Sequence, residues 1–279
     1  MALAHAKVNL WLKVVGRRAD GYHLLDSLAA FCDLGDTVEA APSDNLSLAV
    51  EGPTAGRLAV EPDNLVLKAA SLLAEQAGVM PHAALRLTKR IPIAAGLGGG
   101  SADAAAALGE LVALWRLAIS DDELFALAAR IGADVPMCLA GRPSLVSGVG
   151  EKLAPAPPLP ACAILLVNPG RPLVTRDVFA ARRGGFSASL PLQPWSDLTS
   201  FVATLAARGN DLAEAAIALC PPIAEVLAVL RGSEGALYAA MSGSGATCFA
   251  LFATLDEASR VAGRLPAGWW RHAGTFVES

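Results

Sequence analysis

The chain has 279 residues, 54% of them apolar, and a formal net charge of −4. Such a length suits one large domain or two modest ones, and such an apolar content excludes a disordered chain. The negative balance argues against a nucleic-acid binder or a partner of acidic membranes, so any basic site must be local.

The opening residues alternate. Ala4, Ala6, Val8, Leu10, Leu12 and Val14 share one face of a strand, and His5, Lys7, Asn9, Trp11 and Lys13 share the other. Lys7 and Lys13 interrupt this apolar stretch, so it is not expected to act as a signal peptide. No uncharged apolar run is long enough to suggest a membrane span. Asp20-Gly21 marks a turn. Strands are expected over residues 37–41, 46–50 and 84–87, and helices over 64–77, 102–115 and 120–131. Ser120 with Glu123 forms a capping-box pattern at the start of the third helix. Prolines crowd residues 155–160, the best candidate for a domain boundary. Beyond it lie a buried strand over 162–167, a helix over 212–219, a strand over 248–252, a helix over 255–264 and a last strand. The pattern is α+β in two domains, 1–155 and 156–279. Cys32, Cys138, Cys162, Cys220 and Cys248 form no CxxC pair and are odd in number, which points to reduced core residues of a cytoplasmic protein.

The stretch most suggestive of chemistry is IPIAAGLGGGSADAAAA, which begins at Ile91. Gly96, Gly98, Gly99 and Gly100 let the backbone approach a ligand closely, and the helix that follows offers unpaired N–H groups and a positive dipole end. Together they make an anion cradle, most often for phosphate. The loop lacks the Lys-Ser/Thr ending of a P-loop, and Ser101 stands where GxGxxG needs its last glycine. A tight packing turn, with Ser101 as an N-cap, is the competing reading. Asp103 belongs to the first helical turn, where the dipole favours a carboxylate. A second glycine run, Ser242-Gly243-Ser244-Gly245, precedes a strand. Gly132 reads as the residue that ends a helix. Asp134 then either caps the next segment or faces a pocket as a general base. Lys7 and Asn9 sit either on a half-exposed edge strand or, for Lys7, beside a phosphate where the cation would neutralise charge. Tyr22 is either a loop anchor or a face on which a nucleobase stacks. No metal-ligand spacing occurs, so metal ligands stay unassigned.

Taken in order, these pieces resemble the GHMP kinase superfamily of small-molecule kinases. The resemblance rests on Ala6-Lys7-Val8-Asn9-Leu10, Ala19-Asp20-Gly21-Tyr22-His23, Asp63-Asn64-Leu65, the glycine loop, Gly132-Ala133-Asp134-Val135-Pro136, Asn168-Pro169-Gly170 and Ser242-Gly243-Ser244-Gly245-Ala246-Thr247. It covers nearly the whole chain. It implies an N-terminal domain like domain 2 of ribosomal protein S5 and a ferredoxin-like C-terminal domain. These pieces, together with Arg18 and Gly148-Val149-Gly150-Glu151 and most specifically Ala19–His23 and Gly132–Pro136, are similar to those of the branch that phosphorylates the 2-hydroxyl of methylerythritol carried on cytidine diphosphate. That likeness implies ATP and Mg2+ as cofactors, a small-molecule substrate bearing cytidine diphosphate, no nucleic-acid or membrane partner, and a monomer or weak homodimer. The carry-over makes Asp134 the catalytic base and Lys7 its partner. Asn64 and the run Pro92, Ile93, Ala94, Ala95, Gly96, Leu97, Gly98, Gly99, Gly100, Ser101 and Ala102 would bind ATP. Asn9, Tyr22, His23, Thr175, Phe179, Gly243, Ser244 and Gly245 would bind the substrate, with Tyr22 and Phe179 sandwiching cytosine. Ala102 departs from the family, which commonly carries a second small polar residue there. The alternatives are another kinase of the superfamily, disfavoured by Ala19–His23, and a non-catalytic relative, disfavoured by Lys7 and Asp134.

Overall fold

The computed structural model describes residues 1–56 and 64–277. Asp63 of the Asp63-Asn64-Leu65 piece therefore lies outside the described residues. Two long strands begin the chain, β1 (Ala2–Arg17) and β2 (His23–Ala41), and they pair with each other. Every residue of β1 from Ala6 to Leu12 is buried, so Lys7 and Asn9 are not on a half-exposed edge. The chain forms two compact units. One comprises Met1–Lys7, Leu34–Ile93 and Gly98–Gly141, and the other Val8–Asp33, Ala94–Leu97 and Arg142–Ser279.

In the first unit, β3 (Ser47–Glu51) and β4 (Ala84–Thr88) run parallel, and the end of β2 is antiparallel to β4 from Thr37↔Thr88 to Ala41↔Ala84. A parallel pair needs a crossover, and here it carries α1 (Leu65–Ala77). Helices α2 (Gly99–Trp115), α3 (Asp121–Ile131) and α4 (Val135–Ala140) follow β4. Val38, Leu85 and Leu87 from the sheet pack with Leu73, Leu108 and Leu127 from the helices, and Ala69, Ala70, Ala104 and Ala107 belong to the same core. Helix α1 starts at Asn64, whose side chain accepts from the Val66 N–H, and it ends at Gly78 in the left-handed region. Ser120 and Glu123 form the expected capping box of α3.

Two local expectations need correction. Helix α2 begins at Gly99, with Gly98 as its left-handed N-cap (φ 65°), so Ser101 is the third helical residue and not the cap. A residue without Cβ reaches that conformation freely. Asp103 is consequently the fifth residue of the helix, and it is buried in an ion-pair cluster instead of facing the dipole. Gly132 ends α3 as expected, its N–H donating to the Ala128 carbonyl, with an extended backbone (φ −175°).

In the second unit, the start of β2 pairs with β5 (Ser144–Gly148), which forms a hairpin with β6 (Lys152–Pro155). A separate antiparallel sheet holds β7 (Ala163–Asn168), β8 (Tyr238–Met241), β9 (Cys248–Phe252) and β10 (Trp270–Thr275), in the order β10-β7-β9-β8. Helices α5 (Thr175–Ala181), α6 (Leu198–Arg208), α7 (Ala213–Leu219) and α8 (Pro222–Arg231) separate β7 from β8, and α9 (Leu255–Arg264) separates β9 from β10. This is the ferredoxin-like β-α-β-β-α-β sequence with added helices. Leu165, Val167 and Phe252 from the sheet share a core with Ile223, Val226, Leu230 and Val261. The stretch after α5 is tied down by polar contacts. The Ser187 N–H donates to the Val14 carbonyl at 2.9 Å, Ser189 Oγ to Asp26 at 3.1 Å, and Arg208 to the Leu190 carbonyl at 3.0 Å.

Candidate active site

Lys7 on β1 and Asp134 are far apart in the chain and meet in the first unit, with Nζ 3.1 Å from Oδ2. The pair is lopsided. The lysine side chain is 7% exposed and the aspartate side chain 38%. Asp134 occupies the N-cap position of α4, but its side chain makes no capping bond. Its carboxylate thus turns to Lys7 and keeps an open side. Gly98 packs on the lysine stem, where an added Cβ would lie 3.1 Å from Lys7 Cε.

Residues 92–102 connect β4 to the first turns of α2. Ala94 (φ 51°), Gly96 (φ 76°) and Gly98 (φ 65°) are left-handed at every second position. Alternation of this kind turns successive N–H groups toward one side and forms an anion-binding concavity. Pro92 and Ile93 enter the loop, Ile93 exposed. Ala95, Leu97 and Ala102 are buried anchors. Gly99, Gly100 and Ser101 make up the first turn of α2, and no side chain at the Gly98 cap occupies its N–H groups. Asn64 is engaged elsewhere, its side-chain oxygen accepting from the Val66 N–H at 2.9 Å.

In the second unit the two glycine runs touch. An added Cβ at Gly96 would collide with the Gly245 carbonyl oxygen. Ser242 Oγ donates to the Gly96 carbonyl at 3.2 Å, and the Thr247 N–H donates to the Ala95 carbonyl at 3.1 Å. Asn9 joins the same knot. Its N–H donates to Ser242 Oγ at 3.1 Å and its Nδ2 to Ser27 Oγ at 2.8 Å. Gly243 (φ 56°) and Gly245 (φ 86°) need the left-handed region, and an added Cβ at Gly243 would meet Asn9 Oδ1 at 3.1 Å. Thr175, the first residue of α5, has its hydroxyl 2.9 Å from that of Ser244.

One helical turn along α5, Phe179 stacks on His23 with ring centroids 5.1 Å apart and planes 24° apart. Burial lowers the His23 pKa, and the nearby guanidinium groups of Arg17 and Arg182 push it the same way, so the imidazole is neutral at pH 7. Tyr22 is 65% exposed beside it in the chain. Here the ring stacked on Phe179 is that of His23.

Some residues of these arrangements escaped the sequence. Asn210 donates through Nδ2 to the carbonyls of Met241 and Gly243, both at 2.8 Å, and so holds the second glycine run from behind. The only signal was a polar Asn-Asp pair after Gly209, between two helical patterns. Lys89, Asp36 and Asp103 form a buried charged cluster. Asp36 and Lys89 gave no signal of their own, standing among Asp33, Glu39, Arg86 and Arg90, and Asp103 was expected only at the helix dipole. Among the described residues, no group of three or more His, Cys, Asp or Glu side chains could hold a metal ion, and no helix is long and apolar enough to cross a membrane.

Comparison with known proteins extends this picture to the whole chain. The family model of the GHMP kinases N terminal domain matches residues 64–142, and that of the GHMP kinases C terminal domain matches residues 197–269. The 4-diphosphocytidyl-2-C-methyl-D-erythritol kinase of Paramagnetospirillum magneticum is 54% identical, over 96% of this chain and 95% of its own length. The protein of the same name in Rhodospirillum rubrum is 50% identical, over 98% of this chain and 91% of its own. A crystal structure of a 4-(cytidine 5'-diphospho)-2C-methyl-D-erythritol kinase superposes with a TM-score of 0.82 at 39% identity, covering 100% of this chain and 99% of that one. With so much of its length in common with these enzymes, the chain belongs to the GHMP kinases and, within them, to the 4-diphosphocytidyl-2-C-methyl-D-erythritol kinase family.

Proposed function

We propose that this kinase transfers the γ-phosphoryl group of ATP to the 2-hydroxyl of 4-diphosphocytidyl-2-C-methyl-D-erythritol, in the non-mevalonate route to isoprenoids. The observation that carries the reading is the Lys7–Asp134 pair, a buried cation holding a carboxylate that keeps an open side. Asp134 takes the hydroxyl proton as the hydroxyl oxygen bonds to the γ-phosphorus. The bond from that phosphorus to the β,γ-bridging oxygen breaks, and ADP leaves with the electron pair. Lys7 orients Asp134 and offsets the growing negative charge. Phosphoryl transfer of this kind is mostly positioning and electrostatics, so a fixed cation and a fixed base are the parts it needs.

Residues 92–102 cradle the ATP phosphates through backbone N–H groups, helped by the unfilled Gly98 cap and the Ser101 hydroxyl, with Asn64 nearby. The alternating left-handed residues suit a polyanion. Mg2+ would be held mainly through the nucleotide phosphates and waters, as this cation takes few protein ligands in such sites, and would supply charge neutralisation there. Tyr22 and Phe179 enclose the cytosine. His23, neutral through burial, reads the base edge. Asn9, Thr175, Gly243, Ser244 and Gly245 contact the rest of the substrate. We assign nucleotide binding to a domain of residues 1–155, with residues 156–279 as the second domain, in a cytoplasmic monomer or weak homodimer that binds no nucleic acid.

A coupled ADP-release assay tests the proposal, with ATP, Mg2+ and the cytidine-bearing substrate, against methylerythritol lacking cytidine diphosphate. Turnover with the cytidine form alone is expected. Equal turnover without the cytidine group, or turnover of homoserine or mevalonate in its place, would overturn it.

A further inference from the structure

Lys89 closes β4's connection to the loop, three residues ahead of Pro92. Its ammonium contacts two carboxylates, Asp36 Oδ2 and, at 2.6 Å, Asp103 Oδ2. All three side chains are buried, and together they carry two acids for one base. Asp36 on β2 spends its other oxygen on the loop's entry, accepting the Arg90 N–H and, at 2.8 Å, the Ile91 N–H. Asp103 lies on α2, at the loop's exit. Gly99 leaves room between them, since an added Cβ would lie 3.4 Å from Lys89 Nζ and 3.2 Å from Ile91 Cγ2. One lysine therefore joins the entry of the loop to its exit.

Stability is a weak reason to bury such a cluster. Desolvating ions offsets most of their attraction, and apolar replacements of buried ion pairs are often as stable. The Asp103 oxygen that faces away from Lys89 is buried without a hydrogen-bond partner, a further cost. What the cluster does supply is a fixed distance between two backbone segments.

We propose that Lys89, Asp36 and Asp103 are positioning residues that hold the ends of the 92–98 loop at the separation the ATP phosphates require. The inference rests on reading residues 92–102 as the ATP loop. Apart from that buried Asp103 oxygen, the polar atoms of the three side chains are spent on one another and on the backbone, so they act through the loop and do not touch the nucleotide.

The test measures ADP and CDP affinity by calorimetry in the wild type, in Asp103→Asn, and in the neutralised Lys89→Met/Asp36→Asn/Asp103→Leu variant. A misplaced loop is expected to weaken ADP binding about tenfold or more in the triple variant and severalfold in Asp103→Asn, with CDP affinity unchanged. Melting temperatures run in parallel, because a purely structural role would lower them and weaken both ligands together. Wild-type ADP affinity in the folded triple variant overturns the proposal, as does an equal loss for both ligands. If the triple variant does not fold, the near-isosteric Asp103→Asn decides, and unchanged ADP affinity there overturns it. A wild type that binds CDP and not ADP would instead refute the reading of the loop.

Discussion

Asp134 is held by a buried cation on one side and open on the other. Asp134→Asn keeps the shape and removes the proton acceptor, so kcat should fall by roughly 10²–10⁴ with KM for both substrates changed little. Steady-state kinetics checks this, and a fall in kcat of less than about threefold would remove Asp134 from the role of base. Asp103 yields a second prediction. Burial is the main cause that pushes its carboxyl up to about 7; Lys89 opposes the shift and the Asp36 charge adds to it. An acid raised on folding contributes stability that is fully present below about pH 4 and lost as pH rises through about 7. Denaturant unfolding should therefore show stability declining between pH 5 and pH 7.5, and Asp103→Asn should flatten that decline. At this scale the sequence was legible in part. The glycines stood out through their spacing, whereas Lys7 and Asp134 stood out only through the family resemblance, since spacing alone suited an edge strand and a helix cap; the structure brings their side chains together. Ser101 was misread as a cap because a serine before an alanine-rich run matches cap statistics, whereas the glycine at 98 reaches the left-handed conformation without cost. Lys89 and Asp36 were missed, and Asp103 was assigned to the helix dipole, because a charge looks solvated in sequence until its partners, brought from distant segments, are known.

Helix α2 and the loop that leads into it hold two kinds of glycine, which should respond oppositely to alanine. Gly109 is exposed in the helix interior, with nothing within 4 Å of an added Cβ. Gly109→Ala should stabilise the protein by about 0.5–1 kcal/mol by relieving the unfolded chain of entropy. Gly96, just before the helix, is left-handed and faces the Gly245 carbonyl. Gly96→Ala should cost about 1–3 kcal/mol in strain and raise the KM for ATP, because the loop must shift to admit the methyl group. Thermal unfolding of the two variants in one buffer provides the comparison. Elements with a strong period were read well. The helices starting near residues 64, 120, 212 and 255 fall within a residue or two of α1, α3, α7 and α9. Strand β2 was seen only at its C-terminal end, because its first half is too uniformly apolar from Leu28 to Cys32 to show alternation.

For the whole molecule, the proposed reading supplies two ligands that bind the folded state alone. Each should raise the melting temperature by mass action, with about 2.7 kcal/mol of added stability at a hundred times its Kd. ADP and CDP added separately should each raise it, and cytidine-free methylerythritol should not. A shift with ADP and none with CDP would remove the cytidine site. The two-domain α+β character was legible from the order of patterns, and the ferredoxin-like sheet follows from strand pairing that no local pattern encodes.

The interleaving of the two units has a consequence for how the chain is made. Every segment of the unit that holds Lys7 and Asp134 lies before residue 142, while most of the other unit follows it. Domains form in the order in which a ribosome releases their residues. The Lys7–Asp134 pair can therefore close while Val8–Asp33, already synthesised, still waits for its partners from Arg142 onward. Nascent chains stalled after the first unit has emerged should protect Leu34–Ile93 from protease and leave Val8–Asp33 open to cleavage, so the strand bearing the lysine is, for a time, half folded and half exposed to chaperones.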